Sequence, residues 1–230
     1  MKPSLLLALL TTATLLTGCA ATPAAPATPK ERVLHHYGYD NWDQITGIAF
    51  DFKVQRPNGD IMTRSWLWNT AEHYAVLNPG DPDSVLIDLN HPDRTDQTKQ
   101  AHGRFINDTY WLLFPFQLEW SEPTLEDRGI AEAPDGADAE MTELLVASYP
   151  QGGYTPGDAY ELYVTPEGRI AAWVFVRNDN RRPAIWNNQA NAGPIKLNLN
   201  FKGPNGFHLW FDNTRIRLQG ERFWRTIEAE

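Results

Sequence analysis

The chain has 230 residues, of which 42% are hydrophobic and 12% aromatic, with one cysteine and a formal net charge of −9. Removing residues 1–18, whose single charge is Lys2, leaves 19 basic and 29 acidic residues, a net charge of −10. A protein that binds the nucleic-acid backbone needs the opposite sign, and the nucleic-acid-binding motifs are absent from the sequence. The single cysteine excludes a disulfide framework within the chain and a thiolate metal site.

The first eighteen residues have the pattern of a bacterial lipoprotein signal peptide. An apolar run over residues 5–16 leads into Leu16-Thr17-Gly18-Cys19, a lipobox. The run is shorter than the roughly 20 residues that a membrane-spanning helix needs. We therefore expect cleavage before Cys19 and acylation of Cys19, with palmitate as a typical chain. An ordinary signal peptide with a chance cysteine is the alternative.

The next segment is predicted to be a tether. Residues 20–29 are only Ala, Thr and Pro, which cannot bury a core and favour an extended chain. Ala20 stands where an aspartate signals retention in the inner membrane of enteric bacteria, which favours the outer membrane, facing the periplasm. The predicted organisation is a signal peptide at 1–18, a lipidated cysteine and tether at 19–29, and a single domain at 30–230.

The domain is rich in strand patterns. After a short amphipathic helix that ends at Gly38, residues 45–55 alternate apolar and polar side chains, and a turn at 56–60 leads into a second strand. Eight further strand-like segments follow, mostly joined by short turns. Helical patterns are few, so the predicted class is mainly β, with a strongly curved antiparallel sheet of about ten to eleven strands, open like a half-barrel.

Some of these strands are apolar on both faces. Segment 169–177 places aliphatic side chains on one face and Trp173 and Phe175 on the other, which is typical of a strand covered on both sides. Trp66, Trp68 and Trp210 recur on other strands. Two interpretations stay open: the aromatic side chains line an open concave cavity, or they complete a closed core.

One segment, 107–120, breaks the strand pattern. Eight of its fourteen residues are large and apolar without strict alternation. We expect a short helical segment that Asn107, Asp108 or Thr109 caps and that Pro115 ends. It would lie across the open side of the curved sheet, either as a fixed plug or as a displaceable gate.

The most acidic stretch, 119–140, holds eight acidic residues and one basic residue, Arg128. Its prolines and glycines predict a long solvated loop, with room for one strand turn, that offers a surface for a partner protein of the cell envelope. The carboxylate spacing of a calcium loop is absent, so we expect neither a metal nor another cofactor.

Several short motifs resemble an uncharacterised group of bacterial envelope lipoproteins that is similar to the LolA/LolB-like lipoprotein-carrier fold. The motifs are Gly47-Ile48-Ala49-Phe50-Asp51-Phe52, Asn107-Asp108-Thr109-Tyr110-Trp111-Leu112-Leu113, Pro156-Gly157-Asp158-Ala159-Tyr160-Glu161-Leu162-Tyr163-Val164 and Trp173-Val174-Phe175. The resemblance implies a half-barrel of about eleven antiparallel strands, closed by small helices, with a hydrophobic cavity for acyl chains. It carries over no catalytic residue.

The leading functional hypothesis is a membrane-anchored, periplasm-facing lipoprotein that binds a lipid or a lipoprotein acyl chain. Arg64 or Arg177 would orient the ligand at the mouth of the cavity. The alternative is a structural or interaction lipoprotein of the envelope with a filled core. Nucleophile-elbow, zinc-protease and phosphate-loop motifs are absent from the sequence, so we do not expect an enzyme. The expected cavity lining comprises Trp66, Trp68, Trp111, Leu112, Phe114, Phe116, Trp173, Phe175 and Trp210.

Overall fold

A computed structural model describes residues 28–56, 58–149, 157–178 and 180–228. The predicted signal peptide, Cys19 and the tether up to residue 27 lie outside these ranges. Within them, twelve strands form one antiparallel sheet that is not closed into a barrel, accompanied by three α-helices. The predicted class, a mainly β protein with an open, curved antiparallel sheet and few helices, is confirmed.

The helices and strands follow the chain in this order. The α-helices are α1 (Pro29–Tyr37), α2 (Asp96–Leu112) and α3 (Phe114–Trp120), and short 3-10 turns cover Tyr39–Gln44 and Pro204–Gly206. The first strands are β1 (Ile45–Gln55), β2 (Ile61–Asn69), β3 (Tyr74–Leu77), β4 (Val85–Asp88), β5 (Thr124–Ala131) and β6 (Thr142–Ser148). The remaining strands are β7 (Ala159–Val164), β8 (Ile170–Arg177), β9 (Asn180–Ala192), β10 (Ile195–Lys202), β11 (His208–Leu218) and β12 (Arg225–Thr226).

The strand order explains why helices cross the sheet. The order is β4-β3-β2-β1-β11-β10-β9-β8-β7-β6-β5, and β12 pairs with the second half of β11. Sequential strands are hairpin neighbours, except that β4 and β5 lie at opposite edges. The connection between them, which holds α2 and α3, must therefore traverse one face of the sheet.

The amino-terminal helix confirms the prediction of a short helix that ends at Gly38. The Thr28 hydroxyl accepts a hydrogen bond from the Glu31 N–H at 3.2 Å, and the Glu31 carboxylate accepts one from the Thr28 N–H at 2.9 Å, a reciprocal cap. Gly38 ends the helix at φ 77°, and a Cβ there would lie 2.4 Å from the Pro194 carbonyl oxygen. Thr28 and Pro29, which we assigned to the tether, belong to this helix.

The crossing segment differs from the predicted capped turn. Helix α2 begins much earlier, where the Thr95 hydroxyl accepts a hydrogen bond from the Thr98 N–H at 3.1 Å. Asn107, Asp108 and Thr109 therefore lie inside the helix and do not cap it. Pro115 lies in the first turn of α3 rather than ending a helix, because a first-turn residue has no N–H to pair within the helix.

The two faces of the sheet are covered differently. The concave face holds the main core, together with all three helices. On the convex face, Ala133 and Ala137 pack against a small cluster that includes Ala172 and Val174, so β8 is covered on both sides as predicted. A register shift next to Ala172 turns Ile170 towards the main core, which the regular alternation did not indicate.

The acidic stretch is only partly a loop. Its first residues complete α3, and Thr124–Ala131 forms the edge strand β5, which is longer than the single strand turn expected within the predicted loop. The register of β5 against β6 shifts between Asp127 and Ile130, around Gly129 at φ 73°. Sequence polarity indicated a loop because an edge strand exposed on its outer side carries charges as a loop does.

Candidate functional site

Helix α2 is fixed to the concave face by a fully buried carboxylate, Asp108. Arg64 on β2 donates from Nε to Asp108 Oδ2 at 2.6 Å and from Nη2 to Oδ1. Trp66 Nε1 donates to Oδ2 at 2.8 Å, and Asn107 Nδ2 donates to Oδ1 at 2.9 Å. The Arg64 guanidinium also lies 4.7 Å from the centre of the Phe52 ring. Arg64 therefore holds the helix, and it does not stand at the mouth of a cavity as we expected.

Three residues of the crossing segment fill the concave side rather than line an open space. Leu112, Phe114 and Phe116 are at most 1% exposed. The Phe114 ring packs edge-on against Trp173 with centroids 4.8 Å apart, and the Phe116 ring lies 5.4 Å from Trp42. These contacts make the segment part of the core.

The predicted tryptophans on β2 and β11 do not line an open space on the concave face either. Trp66 and Trp68 face the concave side and pack edge-on against Phe105 of α2, at 5.3 and 5.2 Å between ring centroids. Trp210 lies on the opposite, convex face, where its ring stacks on His208 at 4.4 Å. Strand alternation places Trp210 opposite to Leu209 and Phe211, which occupy the core. Trp210 was expected to line the cavity, but it does not lie on the concave face.

An open cleft of about 810 Å³ remains beside α2, over the β7–β9 part of the concave face. Three of the predicted lining residues border it, namely Trp111, Trp173 and Phe175. Four further aromatic side chains that we did not predict border it as well. They are Tyr110, Tyr149, Tyr160 and Phe207.

The aromatic rings of the cleft form a continuous surface. Trp111 projects from α2 onto Trp173, with ring centroids 4.5 Å apart, and lies 5.9 Å from Phe207. On the sheet side, Tyr160 lies 5.0 Å from Trp173 and 5.4 Å from Phe175. Because each ring rests on the next, the cleft has a preformed apolar floor.

Three tyrosine hydroxyls add neutral hydrogen-bonding groups to this floor. Tyr110 donates a hydrogen bond to the Tyr149 hydroxyl, and Tyr160 packs against both rings. Burial is the main cause that raises the pKa of Tyr110, Tyr149 and Tyr160. The hydroxyls therefore stay protonated at neutral pH, and this part of the cleft carries no charge.

Charged groups gather at one end of the cleft. Asp158 is 4% exposed, and its Oδ1 lies 3.5 Å from Arg177 Nε, an ionic contact without hydrogen-bond geometry. Arg181 and Arg182 also border the cleft at this end. Arg181 pairs with Glu161, while Arg182 lies opposite Phe175 in the register of β8 and β9. Of the two arginines that we considered for the mouth, Arg177 borders the cleft and Arg64 does not.

The four aromatic residues that the sequence did not lead us to predict differ in how clearly the sequence indicates a place in the cleft. Tyr160 shares a face with Leu162 on a regularly alternating strand, so periodicity alone could have identified it. Tyr110 precedes the predicted Trp111 in a helix whose start we placed too late. Tyr149 and Phe207 follow or precede turns, where periodicity carries no information.

The described ranges contain neither a metal-binding cluster nor a membrane-spanning helix. No group of three or more His, Cys, Asp or Glu residues in them is arranged to hold a metal ion. None of the helices in the same ranges combines the length and apolar character needed to cross a bilayer.

Comparison with known proteins gives only distant similarities. No protein-family model and no curated protein sequence matches the chain. Its structure is similar over 84% of the chain to a DUF1329 family protein from Desulfovibrio piger, with 93% of that chain covered, 11% sequence identity and a TM-score of 0.45. It is also similar over 84% of the chain to a domain described as an outer membrane lipoprotein-sorting protein from Vibrio parahaemolyticus, with 95% of that chain covered, 11% identity and a TM-score of 0.44. Neither similarity is large enough to assign the chain to a family.

The buried pair makes a direct prediction about stability. Asp108→Asn removes the negative charge and leaves the Arg64 guanidinium, whose side chain is 17% exposed, without its counter-ion. We expect the free energy of unfolding to fall by about 3–5 kcal/mol, as when one partner of a buried ion pair is removed. Urea denaturation followed by tryptophan fluorescence measures this difference.

The matched control is Asp88→Asn, which breaks the pair between Asp88 and Arg94. There the side chains are 36% and 62% exposed, so we expect a loss of about 0–1 kcal/mol. Equal losses for Asp108→Asn and Asp88→Asn would contradict the anchoring role of Asp108.

Proposed function

We propose that this protein is an envelope lipoprotein, anchored by acylated Cys19, that binds the apolar part of a lipid or acyl chain in the aromatic cleft. It acts as a binding protein and not as an enzyme. The observation that carries the proposal is the open cleft of about 810 Å³ with an aromatic floor, beside the packed core that the described residues form on the concave face.

The dimensions and chemistry of the cleft support binding of an apolar molecule. Small-molecule sites are typically clefts of about 300–1,000 Å³ that are lined by apolar and aromatic side chains with a few polar groups. The floor offers the partly exposed rings of Trp111, Tyr160 and Phe175, which lie around the buried Trp173, and the polar groups lie at one end. Burial of apolar surface stabilises a complex by about 25 cal/mol per Å² before the costs of association.

The crossing segment supplies a wall of this site. Its helix is held by the Asp108 ion pair and by the buried Leu112, Phe114 and Phe116, so we treat it as a fixed element rather than a gate. The ligand then enters beside the helix without displacing it. The same buried contacts favour the second candidate function, a structural envelope lipoprotein whose core is filled and whose surface binds a partner protein.

The membrane anchor is tested by Cys19→Ser, which removes the thiol that would be acylated. We expect the unaltered protein to sediment with membranes and to carry the extra mass of acyl chains, while the variant stays soluble without that mass. Membrane fractionation and intact mass spectrometry measure both properties. The neighbouring variant Ala20→Ser is the control and should behave like the unaltered protein. A Cys19→Ser protein with unchanged mass and membrane association would contradict the anchor.

The ligand site is tested with N-phenyl-1-naphthylamine, a neutral fluorophore that brightens in apolar surroundings. In the full-length Cys19→Ser chain, which is free of its own acyl chains, we expect saturable binding that dodecanoate displaces. Trp111→Ala should weaken probe binding about three- to tenfold, because one aromatic contact contributes roughly 0.5–1.5 kcal/mol.

Trp210→Ala is the matched control, because Trp210 lies on the convex face. It should leave the Kd of the probe unchanged. Absence of saturable probe binding, or equal effects of Trp111→Ala and Trp210→Ala at intact folding by circular dichroism, would favour the structural alternative.

A further inference from the structure

The charge at the mouth of the cleft has the opposite sign to the net charge of the whole protein. The chain has a formal net charge of −9, yet Arg177, Arg181 and Arg182 gather at one end of the cleft. Two of these arginines have acidic partners, Asp158 and Glu161. The cleft therefore ends in an excess of positive charge next to an uncharged aromatic floor.

Strand register determines which arginines face the cleft. On β8, Trp173, Phe175 and Arg177 alternate onto one face, and Arg182 on β9 is the direct cross-strand partner of Phe175. Arg177 pairs with Asn180, so Arg177 and Arg182 are diagonal neighbours, roughly 7–8 Å apart along the sheet. Two long guanidinium side chains at that separation can reach a single anion.

Arg177 is oriented by the buried Asp158. The carboxylate approaches the Nε side of the guanidinium at 3.5 Å and is 4% exposed, whereas the Arg177 side chain is 52% exposed. This contact involves Nε, and no described residue accepts a hydrogen bond from the two terminal nitrogens of Arg177. Asp158 thereby positions Arg177 and compensates only part of the local positive charge.

Arg182 has no comparable acidic partner among the described residues. Its neighbour Arg181 donates to Glu161 Oε1 at 2.6 Å and so has a carboxylate partner on the strand next to β8. Among the described residues, Arg182 forms no ion pair, although its side chain is exposed at the edge of the aromatic floor. A solvated arginine next to an apolar surface is well placed to receive the polar end of a molecule that lies on that surface.

We infer that the ligand is an anionic amphiphile, an acyl or alkyl chain that ends in a carboxylate or phosphate group. The inference rests on the proposed function and extends it to the head group. The chain lies on the partly exposed rings of Trp111, Tyr160 and Phe175, and the anion is bound by Arg182 together with Arg177. Both anions match the planar fork of a guanidinium, which donates two parallel hydrogen bonds to them.

The test compares molecules that share one chain and differ in the head group. Dodecanoate, dodecyl phosphate, 1-dodecanol and dodecyltrimethylammonium are titrated below their micelle concentrations into the full-length Cys19→Ser chain, with displacement of N-phenyl-1-naphthylamine as the signal. We expect both anions to bind at least about tenfold tighter than 1-dodecanol, as two charge-assisted hydrogen bonds predict, and the cation to bind most weakly. Inorganic phosphate up to millimolar concentration should not compete.

The variants assign the preference to the two arginines. Arg182→Gln, alone and with Arg177→Gln, should bring the Kd of dodecanoate close to that of 1-dodecanol and leave the Kd of 1-dodecanol unchanged. Arg94→Gln is the matched control, since Arg94 is exposed and lies outside the cleft lining. It should retain the preference for anions. Thermal unfolding of each variant confirms that the comparison is made on folded protein.

The outcomes separate the two proposals. If all four compounds bind with equal Kd, or if Arg182→Gln with Arg177→Gln keeps the preference for anions, the head-group inference is wrong while the proposed function stands. If none of the four binds, the proposed function itself fails. Tight binding of inorganic phosphate at the same arginines would show a simple anion site and would overturn the inference that the ligand is an amphiphile.

Discussion

The arrangement of the concave face depends on one buried carboxylate. Because β4 and β5 lie at opposite edges, the chain between them has to cross the sheet, and apolar packing alone would allow α2 to slide or rotate. Asp108 removes that freedom, since its two oxygens are satisfied only where Arg64, Trp66 and Asn107 meet. A buried charge that finds its partners at a single position specifies the register of the helix, at the cost of its desolvation.

The cleft follows from where that helix is fixed. Helix α2 packs against β3, β4 and β10, and the side chains at its carboxyl end turn towards Trp173 and Phe201. Among the described residues, α2 covers the β7–β9 part of the concave face from one side only. Tyr160 and Phe175 are partly exposed there, and Tyr160 packs against the buried Trp173, which gives a preformed apolar surface.

Local sequence patterns predicted the sheet better than they predicted the site. Alternation identified most strands and the two-sided cover of β8, because each face of a strand is visible within a few residues. It did not reveal which face is concave, so Trp173 and Trp210 looked alike although they lie on opposite faces. Asp108 looked like a cap because its partner Arg64 is 44 residues away in the chain. The open volume depends on the placement of α2 and has no local signature.

The open sheet has two edge strands, β4 and β5, that differ in how readily they could pair with another strand. Along β5, charged side chains and the irregular backbone around Gly129 disrupt the flat row of peptide groups that another strand needs for pairing. Along β4 the margin is short and regular, with Leu86 63% exposed. Copies of this chain are therefore poorly suited to join into a continuous sheet. Head-to-tail growth requires pairing at both edge strands, and only β4 has the regular backbone that pairing needs.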